Sequence, residues 1–184
     1  MNLQVIAIVG TIASGKSTVA EYLQNQGYVI YKYSQILTEL LENRKQPITR
    51  ESLQNLGDWY RKNYHAGILS ELLHQKIHKD NVKKIVVDGV RNPAEITTLK
   101  RLIPEARVIG VDAPLELRIQ RVFKRSRVGD SKSYSEIKND LKRDLGIGQP
   151  DTGQQTKKSL NLCDFVLINA NSEQSLEILL KTTL

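Results

Sequence analysis

IVGTIASGKST, running from Ile8 to Thr18, sets Gly10, four intervening residues, then Gly15, Lys16 and Ser17 in the pattern G-x-x-x-x-G-K-[ST]. Glycines at both ends let the backbone curl so that successive N–H groups point inward at phosphate oxygens. The helix that follows adds the positive end of its dipole. Read this way, the loop from Gly10 to Thr18, with Thr11, Ala13, Ser14 and Gly15 between them, holds the phosphates of a nucleotide. Lys16 would reach the β- and γ-phosphates, and the Ser17 hydroxyl would meet Mg²⁺. The alternative is an ordinary glycine turn between a strand and a helix, and the flanks argue against it. Upstream, LQVIAIV (3–9) is an apolar run suited to a strand buried on both faces of a parallel sheet. Downstream, KSTVAEYLQNQGY puts Val19, Tyr22 and Leu23 at helical spacing and ends near Gly27, where a C-terminal cap glycine belongs.

The 184 residues are enough for one well-buried core, and we expect a single domain over 1–184. With 40% hydrophobic and 26% charged residues, the composition is globular. The N-terminal apolar run is too short for a signal-peptide core, and no stretch approaches membrane-spanning length, so the expectation is a cytoplasmic protein with no membrane partner. Cys163 is the only cysteine, which excludes an internal disulfide and a cysteine-based zinc site; it reads as a small buried hydrophobe beside a strand. His74 and His78 stand four apart without the Glu of H-E-x-x-H and read as a solvated helix face.

Charge is concentrated. Nine basic residues against three acidic ones fall between Arg118 and Arg143, which accounts for +6 of the formal +7. Such a segment meets a polyanion such as nucleic acid, closes over a phosphate-rich small ligand, or is a solvated basic face.

Along the chain, 28–33 reads as a second strand, followed by a helix with Ser34 as its N-cap and Pro47 as its breaker. Thr49 starts one or two further helices to residue 80, with interruptions near Gly57 and Gly67. Strands at 83–90, 106–113 and 164–170 alternate with helices at 92–102, 114–127, 135–146 and 172–184, and a polar loop covers 128–134. This order predicts an α/β, doubly wound, five-stranded and mostly parallel sheet with helices on both faces. Ligands on such sheets sit at the carboxyl ends of the strands, where Gly10, Ser34, Asp88, Asp112 and Asn169 fall.

Phosphoryl transfer asks mainly for positioning and positive charge. Asp88, at a strand tip, can order Mg²⁺ or its waters, and Arg91 can grip an acceptor's phosphate bidentately. Arg118, Arg121 and Arg125 share one helix face, so Arg121 and Arg125 can neutralise charge developing on the transferring group, with Arg143 returning from the next helix. The loop between them, with Gly129 and serines, has the composition of a mobile lid. Trp59, Tyr60 and Tyr64 either stack on an acceptor base or pack their own helix.

These residues carry a resemblance. Over nearly its whole length the chain resembles nucleoside monophosphate kinases of the P-loop superfamily. GTIASGKST is similar to their phosphate loop and RIQRVFKRSR to their arginine-bearing lid helix. VVDGVRNPAEI is similar to their Asp-Gly-x-Pro-Arg element, although the proline is missing and Arg91 stands one position early. CDFVLINANSEQSLEILL resembles the closing segment of dephospho-coenzyme A kinases, where the loop after the last strand lies near adenine, which implies an ATP-side role for Asn169. ITRESLQNLGDWYRKNYHAGIL, DGVR and RDLGIG together resemble adenylate-kinase-like and dephospho-coenzyme A kinase-like proteins, which implies that Ser34 and Arg61 lie in the acceptor site.

The resemblance implies a three-layer P-loop NTPase fold, a helical acceptor-binding region at 34–80, a lid at 121–145 carrying Arg127 and Arg143, and ATP as donor with Mg²⁺. Dephospho-coenzyme A kinases carry an aspartate after the second strand, where this chain reads YKYSQI. A hydroxyl acceptor benefits from such a base and a phosphate acceptor does not. The expectation is therefore transfer of the γ-phosphate of ATP to a nucleoside or deoxynucleoside monophosphate. Asp88 or Asp58 would have to serve as the base for the alternative, dephospho-coenzyme A. A second alternative is an ATP-dependent switch on RNA or a protein, using the basic segment as its contact surface.

Overall fold

A computed structural model of the chain describes residues 3–125, 133–170, Leu176, Leu180 and Lys181. Five strands, β1 (Gln4–Gly10), β2 (Val29–Lys32), β3 (Lys84–Val90), β4 (Arg107–Asp112) and β5 (Phe165–Ile168), form one sheet in the order β2-β3-β1-β4-β5. Every pairing is parallel. Each crossover therefore carries a helix, and β1, at the centre, is buried on both faces.

The alternation along β1 divides the core. Val5, Ala7 and Val9 join Val87 and Val108 in a cluster covered by α2 (Tyr33–Asn43), α3 (Arg50–Asn63), α4 (Ile68–Asp80) and α5 (Pro93–Leu102). Ile6 and Ile8 face the other way, onto Val19, Ala20 and Leu23 of α1 (Lys16–Asn25) and onto Leu176 and Leu180. The remaining helices are α6 (Leu115–Arg125), α7 (Tyr134–Leu145) and α8 (Thr156–Leu160).

Register positions the site. Ile8 pairs with Asp88, and the next pair is Val9 with Val90, so Gly89 is an extra residue with φ +98. A bulge in that left-handed conformation favours glycine, and it turns the strand end where Asp88 stands.

Three readings of the sequence change. The helix after β2 starts at Tyr33, with Lys32 rather than Ser34 at the cap. The reason is tertiary: Tyr33 is buried, and its hydroxyl meets the Ser70 hydroxyl at 2.6 Å. α3 runs through Gly57 without a break. A Cβ there would lie 3.3 Å from both Leu37 Cδ1 and Arg61 Nη1, so this glycine serves helix packing. Gly67 does mark a boundary, at the N-cap of α4. α8 was not foreseen, because its TKKSL sequence has no apolar periodicity and it buries Thr156 and Ser159 instead. Cys163 is half buried, and burial together with the Asp164 charge pushes its thiol up to about 12. The polar loop up to residue 132, Arg127 and the first residues of the closing helix lie outside the described residues.

Candidate active site

The loop after β1 is braced from outside by three side chains distant in sequence. Thr11 Oγ1 donates to Asp112 Oδ1 at 3.0 Å, Ile12 N to Asp144 Oδ2 at 2.9 Å, and Asn169 Nδ2 to Ser14 O at 2.8 Å. Ala13 and Gly15 both have positive φ, at 61° and 108°. Among the described residues the backbone N–H groups of Gly15, Ser17 and Thr18 donate to no protein acceptor, as expected where a helix begins. Lys16 bends back, its Nζ donating to Gly10 O and Thr11 O at 2.8 Å each.

The loop forms one wall of a cleft of about 1000 Å³. Ala13, Ser14, Gly15, Lys16, Ser17 and Thr18 line it, while Gly10 and Thr11 form the root of the loop and Asn169 stands behind it. Arg121 lines the cleft from α6, and its guanidinium donates to Ala13 O at 3.4 Å and to Asn169 Oδ1 at 3.1 Å. Lys124 lies beside it. Arg125 ends α6, and its side chain lies outside the described residues.

Opposite the loop stand the tips of β2 and β3. Lys32, Tyr33 and Ser34 line the cleft here, with Ser34 exposed in the first turn of α2. Asp88 is half buried and shares the cleft with Ser17. Among the described residues its carboxylate makes no hydrogen bond or ion pair. A hydroxyl and a carboxylate are hard oxygen donors that suit Mg²⁺, and no group of three or more His, Cys, Asp or Glu side chains able to hold a metal occurs among the described residues. Mg²⁺ is usually held by one or two carboxylates together with substrate phosphates and water.

Arg91 also lines the cleft. Its Nη1 donates to Gln154 Oε1 at 2.9 Å and Asp144 Oδ1 at 3.3 Å, and among the described residues Nε and Nη2 have no partner. Three N–H donors of a fork held from one side are thus left for an anion.

Arg61 is differently disposed. It touches the cleft, yet it is 5% exposed, with Nε and Nη2 on Glu95 Oε1 at 2.9 and 2.8 Å and Nη1 on Asp58 Oδ1 at 3.2 Å. Arg143 meets the other Asp58 oxygen at 3.1 Å and does not line the cleft. Asp58 therefore ties α3 to α7, with both its oxygens occupied. Trp59, Tyr60 and Tyr64 are absent from the cleft wall. They pack on one another, with the Arg44 guanidinium over Trp59 and Tyr60 at 5.4 and 5.7 Å.

Sequence reasoning missed Glu95 and Asp144. Glu95 could have been found, since Asn92-Pro93-Ala94-Glu95 is a capping box, and its Oε2 accepts from Arg91 N and Asn92 N at 2.8 and 3.1 Å. Asp144 has no local signal, because its partners are distant in sequence.

A family described as AAA domain matches residues 6–140. A UPF0200 protein of Saccharolobus islandicus is 30% identical over 155 residues, 81% of this chain and 80% of that one. The crystal structure of TT1252 from Thermus thermophilus superposes with a TM-score of 0.63 at 22% identity and covers 100% of both chains. Shikimate kinase from Aquifex aeolicus does so with a TM-score of 0.55 at 18% identity, over 97% of this chain and 95% of that one. The fold is that of small P-loop kinases, and the chain belongs to the AAA domain family and to the UPF0200 family.

Proposed function

We propose that the protein is an ATP-dependent phosphotransferase whose acceptor is a nucleoside or deoxynucleoside monophosphate. The observation that carries this reading is the meeting, in one cleft, of the phosphate loop, the carboxylate of Asp88, unpartnered among the described residues, and the half-engaged guanidinium of Arg91. The loop from Gly10 to Thr18 and Lys16 hold the donor's phosphates. Ser17 and Asp88 hold Mg²⁺, which neutralises charge on the donor when bound. Arg91 orients the acceptor's phosphate in line with the donor. Arg121 and Arg125, with Arg127 from the lid, stabilise the transferring group, and Asn169 holds the loop in shape from behind. Arg61 and Ser34 belong to the acceptor side, where Arg61 acts through its ion pairs to Glu95 and Asp58, and Arg143, which lies off the cleft wall, holds the lid helix α7 to α3 through Asp58 rather than meeting the transferring group.

Leu37, Leu53 and Leu69 line the acceptor half, with Gly57 among them and Gln54 as a polar edge. Apolar walls with few polar groups suit a planar base. The missing carboxylate after β2 favours a phosphate acceptor over a hydroxyl. Among the described residues no helix is long and apolar enough to cross a membrane.

The test is ADP production from Mg·ATP across each ribo- and deoxynucleoside monophosphate, dephospho-coenzyme A, and no acceptor. Stimulation by a monophosphate is expected. Stimulation by dephospho-coenzyme A alone would move the acceptor to a hydroxyl, and slow hydrolysis indifferent to every acceptor would favour a switch on RNA or protein.

A further inference from the structure

We propose that Asp144 is a positioning residue that couples the donor loop to Arg91, so that one carboxylate sets the two sides of the cleft relative to each other. The inference rests on the phosphotransferase reading above.

Asp144 lies in the last turn of α7 and is 2% exposed. Its Oδ2 accepts the Ile12 N–H at 2.9 Å, while its Oδ1 accepts from Arg91 Nη1 and from the Thr156 hydroxyl, each at 3.3 Å. Ile12 immediately precedes Ala13, whose left-handed φ of 61° shapes the loop. One arm of the carboxylate therefore pins the donor loop at its strained turn. The other arm, with Gln154, engages both hydrogens of Nη1 and leaves the rest of the Arg91 fork to meet an anion in the cleft.

The chemistry requires a carboxylate. Both neighbours, the Ile12 N–H and the Arg91 guanidinium, are donors, and an ionised carboxylate accepts on both oxygens. An asparagine offers one oxygen and one NH₂, so whichever way it turns it sets a donor against a donor on one arm. Burial leaves little room for water to repair the loss. The two arms are thus interdependent: a carboxylate freed from Arg91 can turn away from Ile12, and the reverse.

The experiment is a double-mutant cycle on the affinity for Mg·ATP, measured by calorimetry on the full chain with Asp144→Asn, Arg91→Ala and the double variant, folding being checked by thermal melts. Asp144→Asn is expected to raise the Kd about tenfold, the scale of one hydrogen bond to a charged group. Arg91→Ala is expected to raise it about threefold, although among the described residues no hydrogen bond joins Arg91 directly to the donor loop, and the double variant is expected to bind no worse than Asp144→Asn alone. An unchanged Kd in Arg91→Ala, or factors that multiply in the double variant, would overturn the coupling. Should Asp144→Asn fail to fold, Thr156→Val runs the same cycle, with about a twofold rise in the wild-type background and none beside Arg91→Ala. Wild-type protein that bound no Mg·ATP would overturn the phosphotransferase reading and the coupling with it. Binding without transfer to any acceptor would overturn the transfer reading alone, because the cycle reads affinity.

Discussion

Arg61 of α3 and Glu95 of α5 form an ion pair at 2.8 Å in which Arg61 is 5% exposed and Glu95 is fully buried. Glu95 also caps α5 and accepts from the backbone N–H of Arg91, so the pair supports the cleft wall at Arg91. Removing Glu95 takes away the partner of Nε and Nη2 and leaves the buried guanidinium only its Nη1 contact to Asp58. Glu95→Ala is expected to lower unfolding free energy by about 3–5 kcal/mol in denaturant titrations. A loss under 1 kcal/mol would contradict this burial.

Ala13 stands in the phosphate loop at φ 61°, a left-handed conformation that costs a residue with a Cβ about 1–2 kcal/mol. Ala13→Gly relieves that conformation but adds freedom to the unfolded chain, and the net expectation is a gain of about 0.5 kcal/mol. Ala13→Val, with a branched side chain in the same conformation, is expected to melt earlier than wild type. Equal melting of all three would show that the loop does not hold this φ.

Asp164 bridges the sheet to α5: one oxygen accepts from Lys100 Nζ at 2.6 Å and the other from Val108 N at 2.7 Å. Burial alone would raise its carboxyl, but the hydrogen bonds from Lys100 and Val108, with the charges of Lys100 and Arg107, hold it below the usual carboxylate range. A depressed pKa gives stability that is present above the unfolded value, about 3.9, and lost as pH falls through the folded one. Melting temperature should therefore fall below about pH 4 more steeply in wild type than in Asp164→Asn. Parallel pH profiles would contradict the assignment.

Three substitutions in the cleft separate the proposed roles. Lys16→Ala is expected to abolish transfer. Arg121→Ala should lower kcat by about 10²–10³ with a smaller change in donor affinity, as for a group that meets charge developing in the transition state. Arg91→Ala should raise the acceptor KM above all. Normal turnover in Lys16→Ala and Arg121→Ala would remove the basis for the transfer mechanism.

Legibility followed the distance over which a residue's partners lie. β1, the loop and α1 were readable because motif, flanking strand and helix are contiguous. The cap at Thr49 and the boundary near Gly67 were readable for the same reason. Gly57 misled because a glycine that breaks a helix and one that lets two helices approach look alike until Leu37 and Arg61 are placed beside it. Ser34 misled because the buried Tyr33 drew the helix start two residues back, to a cap at Lys32. Asp112, Asp144 and Asn169 brace the loop across 101, 132 and 155 residues of sequence, which no local pattern reports.

The most direct test of the central claim is to follow the label from [γ-³²P]ATP in the presence of Mg²⁺ and the monophosphate that best stimulates ADP formation. The account predicts label in the corresponding nucleoside diphosphate, lost in Lys16→Ala. Label recovered only as inorganic phosphate, whatever the acceptor, would contradict it.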